Sequence, residues 1–463
     1  MSLVLYNTLS GKKEEFSTLK KGEASMYNCG PTVYDYAHIG NLRAYLFADT
    51  LRRVLEFSGL KVKQVINITD IGHLSSDADS GDDKMMKGLK REGLPATFEG
   101  LKALADKYTA HFMEDLVSLN IETEGTKFPK ATEYVADDIA FVGILLEKGL
   151  AYKTEDGIYF DTGKFPTYGA LGGLTPLSEM EERISSNAKK NPRDFALWKF
   201  SREGHLAFES PWGKGFPGWH IECSVMSERL LGQPFDIHTG GVDHIPVHHN
   251  NEIAQSEGAY GKPLAHFWMH NAFINVNDTK MAKSAGGFST LRSLVEKGFS
   301  PISYRYFVLG AHYRSPINFS EEALEGAKNA YRRLSEFFVN LGQEDGSINK
   351  EYRQKFGDAV FDDLNTPQAL AVLWELVKDQ SVSPRDKRTT LIEFDRVLGL
   401  DLAGLGEELR AMLVPEEVKK LVAEREEARE VGDFKKADEL REAISKLGFS
   451  LEDTPNGQKI RPL

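Results

Sequence analysis

The sequence predicts an α/β protein with a Rossmann-like, doubly wound parallel sheet, followed by a helical region. Residues 24–28 and 61–68 have the pattern of short strands. Between them, a loop rich in glycine and proline leads into apolar residues of helical spacing over 41–58. Strand, loop, helix and strand in this order open the doubly wound nucleotide-binding folds. After residue 320, apolar residues three and four apart, behind the cap residue Ser320, indicate helices instead.

An insertion is expected to divide the α/β domain. Short apolar runs on either side of Asp156 and Gly157 predict a β-hairpin, and a polar stretch follows it. We therefore expect six segments: the first half of the α/β domain at 1–125, the insertion at 126–193, the second half at 194–285, a connecting segment at 286–319, a helical bundle at 320–400 and a small C-terminal module at 401–463.

Length, charge and composition exclude several classes of protein. The 463 residues are too many for one core, and no run of about twenty apolar residues predicts a membrane span. The beginning of the chain lacks the pattern of a signal peptide, and two cysteines fit a reducing compartment, so we expect a cytoplasmic protein. Because the formal net charge is -12, any nucleic-acid partner would need a local basic patch.

The two cysteines, Cys29 and Cys223, are too far apart in sequence for a local metal knuckle. A third segment contributes His248, His249 and Glu252. Glu252 lies four residues after His248 and three after His249, so either histidine would share a helix face with it. Two cysteines, a histidine and a glutamate would suit zinc. Free cysteines are also common as small buried apolar residues, and spacing alone does not choose between the histidines.

Two segments suit the binding of phosphate. The first links the predicted strand to the helix, where backbone N–H groups favour an anion; it contains His38, a possible donor, and Gly40, which permits a close approach. The second contains Lys280 and Lys283, which could neutralise a pyrophosphate. Taken alone, the first segment is more often a surface turn, and the second is a weak signal that also fits a solvated basic loop. Together, in an α/β domain, they form a stronger signal for a site that binds phosphate groups.

A third segment ends an apolar strand with two glycines. Gly240 and Gly241 are followed by Asp243, an arrangement that suits contacts with a ribose or an adenine. A strand that ends in a tight turn would have the same pattern, and both interpretations stay open.

These segments together resemble the class I aminoacyl-tRNA synthetases, with their HIGH-type turn and KMSKS-type loop, and most closely the cysteinyl-tRNA synthetase family. The likeness covers nearly the whole chain, and the WHIEC and HHxNE segments are typical of that family in particular. The motifs that carry the resemblance are YNCGPTVY at 27–34, NITDI at 67–71, DFALWK at 194–199, SPWG at 210–213, GWHIECS at 218–224, HHNNEIAQ at 248–255 and KMAKS at 280–284.

The resemblance implies a set of site residues. Four side chains would hold one zinc ion per subunit: Cys29, Cys223, His248 and Glu252. Four would line the pocket for cysteine: Cys29, Thr69, Trp219 and His238. ATP, with Mg²⁺, would contact His38, Gly40, Gly240, Gly241, Asp243 and Lys283. The catalytic side chains would be His38, Asn41, Lys280 and Lys283.

The resemblance also implies a reaction and partners. The chain would ligate L-cysteine to the 3′ end of tRNA(Cys) through a cysteinyl-adenylate, with segment 286–319 against the tRNA stem, the bundle at 320–400 on the anticodon and the module at 401–463 on the tRNA. We expect a monomer that does not bind membranes. The alternatives are an ATP-dependent cysteine ligase that acts on a small amine, and a non-catalytic paralogue that binds tRNA or a nucleotide.

Three positions depart from the family pattern. Asn41 stands where the family usually has a histidine; asparagine can donate hydrogen bonds but cannot carry a positive charge. Ala282 stands in place of a serine, and both lysines of that loop remain. Ile460 stands where many members have tryptophan, so a stacking contact with an anticodon base is expected to be missing there.

Overall fold

The structure, a computed structural model, describes residues 2–71, 84–174, 189–201, 206–276, 279–280, 289–404, 416–454 and 457–462. Its strands in chain order are β1 Val4–Asn7, β2 Lys12–Glu15, β3 Glu23–Asn28, β4 Lys61–Ile66, β5 Ala151–Lys153, β6 Gly157–Phe160, β7 Phe195–Phe200, β8 Gly215–Pro217, β9 Phe235–Gly241, β10 Ala265–Asn271, β11 Ile274–Val276, β12 Thr279–Lys280, β13 Ile317–Phe319, β14 Phe449–Thr454 and β15 Gly457–Pro462. Its helices are α1 Ile39–Phe57, α2 Lys84–Glu92, α3 Phe98–Ser118, α4 Val135–Glu147, α5 Trp219–Leu231, α6 Asn250–Tyr260, α7 Leu291–Glu296, α8 Pro301–Leu309, α9 Glu321–Asn340, α10 Lys350–Phe361, α11 Thr366–Lys378, α12 Pro384–Leu398, α13 Glu416–Glu430 and α14 Phe434–Lys446.

A parallel sheet of four strands forms the centre of the α/β part. Its strand order is β10-β9-β3-β4, and every neighbouring pair is parallel. The chain passes from β3 through α1 to β4 on one side, and from β9 through α6 to β10 on the other. The order therefore reverses between β3 and β9, which is the place where doubly wound sheets bind ligands. The predicted doubly wound α/β fold is confirmed.

A second sheet combines the two strands of the predicted insertion, β5 and β6, with two strands that follow its predicted end at residue 193, β7 and β8. Strands β5, β6, β7 and β8 pair antiparallel in that order. Asp156 and Gly157 lie at the turn between β5 and β6, where the hairpin was expected. The Oγ1 of Thr154 accepts a hydrogen bond from the amide of Gly157 and closes this turn. β7 leads back to the parallel sheet through β8 and α5.

The helical region packs directly on the α/β part. Helices α9 to α12 share one apolar core with α1 and with one face of the parallel sheet; its members include Met26, Phe47, Phe338, Phe356 and Phe394. At the end of the chain, α13 and α14 pack with the hairpin β14–β15 around a small core of their own. Among the described helices, none combines the length and the apolar character that a membrane crossing requires.

Ile460 belongs to the small C-terminal core. It pairs with Leu451 across the β14–β15 hairpin and packs, partly buried, beside Val418 and Ile444. An isoleucine at this position contributes apolar contacts inside the module.

A buried ion pair joins Asp49 of α1 to Arg305 of α8. Arg305 and Asp49 are both 0% exposed, with Nη2 of Arg305 2.5 Å from Oδ2 of Asp49. The guanidinium also donates to the carbonyl oxygens of Leu398, Leu119 and Asn120. Although burial alone would raise the pKa of Asp49, Arg305 and Arg53 outweigh burial and hold it below its usual value. The carboxylate therefore stays charged inside the protein.

We expect Asp49→Asn to lower the free energy of unfolding by about 3–5 kcal/mol, because it leaves the charge of Arg305 buried without its partner. Asp362→Asn is the matched control: its ion pair with Lys13 is exposed, at 57% and 40%, and should contribute far less. Urea-induced unfolding followed by circular dichroism measures both. Equal losses in the two variants would contradict the role given to the buried pair.

Candidate active site and metal centre

The predicted site residues lie in the crevice where β3 and β9 end. Cys29 directly follows β3, and its amide donates to the carbonyl oxygen of Thr239 in β9 at 3.2 Å. Gly240 and Gly241 end β9. Thr69 comes three residues after β4 and is bridged to Thr32. Because the strands are parallel, their carboxyl ends meet at one edge and bring distant segments together.

Four side chains converge in this crevice. The sulfurs of Cys29 and Cys223, a ring nitrogen of His248 and a carboxylate oxygen of Glu252 all lie within 4.8 Å of one another. They come from three places: the end of β3, the first turns of α5, and the start of α6. Cys223, His248 and Glu252 are buried, whereas Cys29 is partly exposed. Cys29 is therefore the one member of the cluster that is not classed as buried.

A π-helical turn positions His248 in the cluster. Ile245–His249 forms this turn and runs directly into α6. Turns of this kind are rare, and they occur preferentially at functional sites. His248 and Glu252 are four residues apart, with Nε2 of His248 2.8 Å from Oε1 of Glu252. Despite this distance the two atoms do not have hydrogen-bond geometry, and Nε2 has no hydrogen-bond partner among the described residues.

Nε2 of His248 lies beside the charge of Glu252 but has no hydrogen bond among the described residues, and this atom tests whether a metal ion fits. Its other ring nitrogen, Nδ1, lies 2.8 Å from Nδ1 of His220, so the ring is held from behind. A buried polar atom without a partner is costly. A metal ion among the four donors would satisfy this nitrogen, and ligating histidines are commonly held through their second ring nitrogen in this way. The donor set of two sulfurs, an imidazole and a carboxylate suits zinc.

A second set of donors overlaps the first. Cys29, His238, His249 and Glu252 also bring their ligand atoms within 4.8 Å of one another. However, Nε2 of His238 is 2.6 Å from Oε2 of Glu252, and Nε2 of His249 is 3.3 Å from the sulfur of Cys29. These are hydrogen bonds to members of the first set. His238 and His249 therefore suit a supporting role, and the set with two sulfurs is the better candidate for zinc.

Charges inside the cluster compensate one another. Burial opposes the charge of Glu252, but His238 and His248 outweigh it and lower its pKa below the usual range. Burial likewise opposes the charge of His248, yet Glu252 raises its pKa to about 10. A hydrogen bond from Cys29 lowers the pKa of Cys223 to about 6, while desolvation and the same bond raise the pKa of Cys29. Negative charge is thus stabilised on a carboxylate and a sulfur that face the same space.

Three of the residues expected to line the cysteine pocket differ in their surroundings. Trp219 lies beside the cluster, with its ring centroid 4.6 Å from that of His248. Thr69 is buried, and its hydroxyl donates to Glu222 at 3.1 Å. His238 is 0% exposed and sits behind Glu252, stacked on Trp268. The surface of His238 is therefore not open to a ligand, and its contact with the site passes through Glu252.

The turn expected to bind ATP caps α1. Nδ1 of His38 accepts a hydrogen bond from the amide of Asn41, and Oδ1 of Asn41 accepts one from the amide of His38. This reciprocal arrangement satisfies two amides at the start of the helix. It gives Asn41 a structural role that needs no positive charge. Gly40 lies inside the same first turn.

The two glycines that end β9 leave space for neighbouring side chains. A Cβ at Gly240 would meet the rings of His244 and His249 at 2.5 and 2.8 Å, and one at Gly241 would meet Asp243 at 2.3 Å. The histidines pack directly on this backbone, so a larger residue would displace them. Asp243 itself is exposed at the rim of the crevice.

The lysine loop lies at the edge of what the structure describes. Lys280 ends β12, which pairs with β11, and β11 in turn pairs with β13. The side chain of Lys280 is not described. Lys283 and Ala282 lie outside the described residues.

A cluster of histidines was missed by the sequence analysis. Among the described residues, six histidines lie ring against ring: the candidate ligand His248 and five others, namely His220, His238, His244, His249 and His270. A signal was present, because four of the six fall between residues 238 and 249. Their grouping with His220 and His270 depends on the pairing of strands and could not be read from spacing.

Comparison with known proteins gives the family. The model of "tRNA synthetases class I (C) catalytic domain" matches residues 15–329, that of "DALR domain" matches 355–382, and that of "Cysteinyl-tRNA ligase anticodon binding domain" matches 413–461. Among curated proteins, "Cysteine--tRNA ligase 1" of Burkholderia lata is 46% identical over 99% of this chain and 97% of its own length. "Cysteine--tRNA ligase" of Treponema denticola is 42% identical over 98% of each.

Solved structures support the fold alone. A methionyl-tRNA synthetase of Mycobacterium tuberculosis in complex with methionyl-adenylate aligns with a TM-score of 0.56 at 15% identity, covering 82% of this chain and 90% of that one. The leucyl enzyme LeuRS of Agrobacterium radiobacter K84, in a ternary complex, aligns with a TM-score of 0.57 at 12% identity, covering 86% of both chains. The matched catalytic domain, the anticodon-binding domain and the near full-length relatives agree: this chain belongs to the cysteine–tRNA ligase family of class I aminoacyl-tRNA synthetases.

Proposed function

We propose that this chain charges tRNA(Cys) with L-cysteine in two steps, and that a zinc ion held by four side chains selects the amino acid. Membership of the family gives the overall activity, an aminoacyl-tRNA synthetase that uses cysteine, ATP and tRNA. The observation that carries the proposal is the convergence of Cys29, Cys223, His248 and Glu252 at the carboxyl edge of the sheet.

The four side chains suit an ion that must also meet a substrate. Zinc bound there would supply affinity for a thiolate, which a serine hydroxyl cannot match because it ionises far less readily. Cys29 is the one partly exposed member, so the substrate sulfur can approach beside it. Trp219, against the ring of His248, forms a wall of this approach. His238 and His220 hold Glu252 and His248 from behind, which fixes the donors before a ligand arrives.

ATP is proposed to bind with Mg²⁺ at the start of α1. Helix N-termini bind phosphate through backbone N–H groups. Nδ1 of His38 accepts a hydrogen bond from the amide of Asn41, so the proton of the neutral ring is on Nε2. From Nε2 the ring can donate a hydrogen bond to a phosphate oxygen. We propose that Gly40 admits the nucleotide, that Gly240, Gly241 and Asp243 face the adenosine, and that Lys280 and Lys283 neutralise the pyrophosphate.

The proposed reaction has two steps. In the first, the carboxylate of cysteine attacks the α-phosphorus of ATP and releases pyrophosphate, giving cysteinyl-adenylate. In the second, a ribose hydroxyl at the 3′ end of the tRNA attacks the acyl carbon and releases AMP. We assign no side-chain base to either step. The contribution of the chain is to position the reactants and to stabilise charge at the phosphates.

The tRNA is proposed to contact the C-terminal module. Phe434 begins α14 with 65% of its surface exposed, although an exposed phenylalanine is unfavourable unless it has a partner. Lys435 and Lys436, both exposed, follow it. An aromatic ring beside cations suits a nucleotide base and its phosphate. This local group of cations supports a contact with tRNA although the net charge of the chain is -12. That the chain acts as a monomer stays a prediction.

A cysteine-dependent exchange of pyrophosphate into ATP, followed by transfer of labelled cysteine to tRNA, tests the two steps separately. We expect both activities. Exchange without transfer to tRNA, together with transfer to an amino sugar, would favour the alternative ligase for a small amine. Absence of both would favour a paralogue that only binds.

Cys223→Ser should bring the bound zinc far below one ion per chain and weaken the binding of cysteine, because a hydroxyl is a poor zinc ligand. Metal analysis of the purified protein and cysteine titration measure these effects. Ser227→Ala is the control: Ser227 is buried on the same helix, and its hydroxyl donates to the carbonyl oxygen of Ser224, so zinc should be retained. Full zinc content in Cys223→Ser would contradict the proposed ligand set.

Lys283→Ala should slow pyrophosphate exchange by about a hundredfold with little change in cysteine affinity, since removal of one charge-stabilising donor commonly costs that much. Lys102→Ala removes an exposed lysine that pairs with Asp106 on α3 and should exchange at the normal rate. If Lys283→Ala activates cysteine as fast as the control, the role proposed for the loop is wrong.

Phe434→Ala should raise the KM for tRNA about tenfold and leave pyrophosphate exchange unchanged, because base stacking on an aromatic side chain contributes about 1–3 kcal/mol. Val431→Ala removes a neighbouring apolar side chain that is 80% exposed but cannot stack, and it serves as the control. Aminoacylation kinetics measure both. An unchanged KM in Phe434→Ala would remove the module surface from the proposed interface.

A further inference from the structure

Strands β1 and β2 pair antiparallel and form an N-terminal hairpin whose turn contains Thr8. A series of hydrogen bonds leads from this hairpin to the sulfur of Cys29. The Oγ1 of Thr8 lies 2.8 Å from Nδ1 of His270. The Nε2 of His270 lies 2.8 Å from Nδ1 of His249, and Nε2 of His249 lies 3.3 Å from the sulfur. Both histidines are buried, at 4% and 0% exposure. Neither Thr8 nor His270 has a part in the reaction described above.

The direction of these hydrogen bonds is determined by the sulfur. A cysteine sulfur that coordinates a metal has lost its proton, so it can only accept a hydrogen bond. His249 must then donate from Nε2. A neutral imidazole has one donor and one acceptor, so Nδ1 of His249 accepts from Nε2 of His270, and Nδ1 of His270 must accept in turn. The hydroxyl of Thr8 is the donor at the beginning of the series.

The backbone fixes the position of this hydroxyl. The amide of Thr8 donates to the carbonyl oxygen of Trp268 at 2.8 Å. The side chain of Asn7 donates to the carbonyl oxygen of His266 and accepts from the amide of Trp268. The hairpin therefore lies beside β10, the edge strand that also carries His270. Both ends of the first hydrogen bond are held by the same strand.

We propose that Thr8 is a positioning residue for the metal site: through His270 and His249 it holds a donated hydrogen bond on the sulfur of Cys29. This inference rests on the proposed zinc site. Hydrogen bonds to metal ligands orient them, and their loss commonly weakens metal binding 10- to 100-fold. Without the hydroxyl, His270 has no donor to hold its tautomer, and His249 is free to turn its N–H away from the sulfur.

The experiment compares three variants of the full chain. Thr8→Val keeps the shape of the side chain and removes the hydroxyl, and Thr8→Ser restores the hydroxyl. Ser10→Ala, on the same hairpin, removes a hydroxyl that bonds to the carbonyl oxygen of Asn7 and does not face the site. Zinc affinity is measured by competition with a chelator. The sulfur-to-metal absorption band is measured after substitution with Co²⁺, which reports the surroundings of the sulfur without any need for activity.

We expect Thr8→Val to weaken zinc binding about tenfold, the lower end of the usual range, and to shift the cobalt band. Thr8→Ser and Ser10→Ala should match the wild-type chain in both measurements. The variant His270→Asn breaks the same series of hydrogen bonds at the residue next to Thr8. Adding Thr8→Val to His270→Asn should therefore cause no further loss of zinc affinity.

Three results would overturn the inference: wild-type affinity and band in Thr8→Val, no recovery in Thr8→Ser, or an equal loss in Ser10→Ala, which would indicate a general effect of the hairpin. If Thr8→Val does not fold, the comparison is made between His270→Asn and Ser10→Ala. Losses of zinc affinity of equal size in these two variants would also overturn the inference. A wild-type chain that binds neither zinc nor cobalt would instead overturn the proposed metal site, and the role of Thr8 with it.

Discussion

The parallel pairing of β3 with β9 is the interaction on which the whole site depends. Its register aligns Asn28 with Thr239, and the side-chain amide of Asn28 donates to the hydroxyl of Thr239 at 2.6 Å. The next residue along the chain is Cys29. Because side chains alternate between the two faces of a strand, a shift of one residue would turn Cys29 away from the histidines. The pairing of β3 with β9 thus fixes the relative positions of two segments that are far apart in sequence.

Around this pairing the protein buries several charged and polar side chains. Glu252 is completely buried, yet it is contacted by His238 and His248 and remains ionised. A buried carboxylate is tolerated only where partners compensate it. The histidines that surround it, held by His220 and His270, form a preformed support for the donors. Rigidity of this kind is what selective recognition of one small side chain requires.

Local patterns predicted the fold well. The hydrophobic periodicity gave the strands around α1 and the change to helices after residue 320, because amphipathic spacing reflects burial on one face. The hairpin at Asp156 followed from turn chemistry. The role of Gly240 could not be foreseen, since it depends on the rings of His244 and His249, which reach this backbone only in the folded chain.

At the candidate metal site, too, local sequence patterns could not identify every ligand. Spacing left His248 and His249 equivalent, and a resemblance was needed to choose between them. In the fold, the two differ because His249 bonds to His270 and Cys29, whereas His248 leaves one nitrogen directed at the cluster. Asn41 lacks the positive charge expected of a phosphate ligand, and in the fold its side-chain oxygen accepts a hydrogen bond at the start of α1. Such distinctions arise from tertiary contacts, which no local pattern of sequence contains.

X-ray absorption at the zinc edge, with and without L-cysteine, tests the central claim most directly. The account predicts zinc coordinated by the sulfurs of Cys29 and Cys223 in the free protein, and one additional sulfur when cysteine is bound, with no such change on addition of L-serine. A protein without zinc, or a sulfur shell that stays the same when cysteine binds, would contradict it.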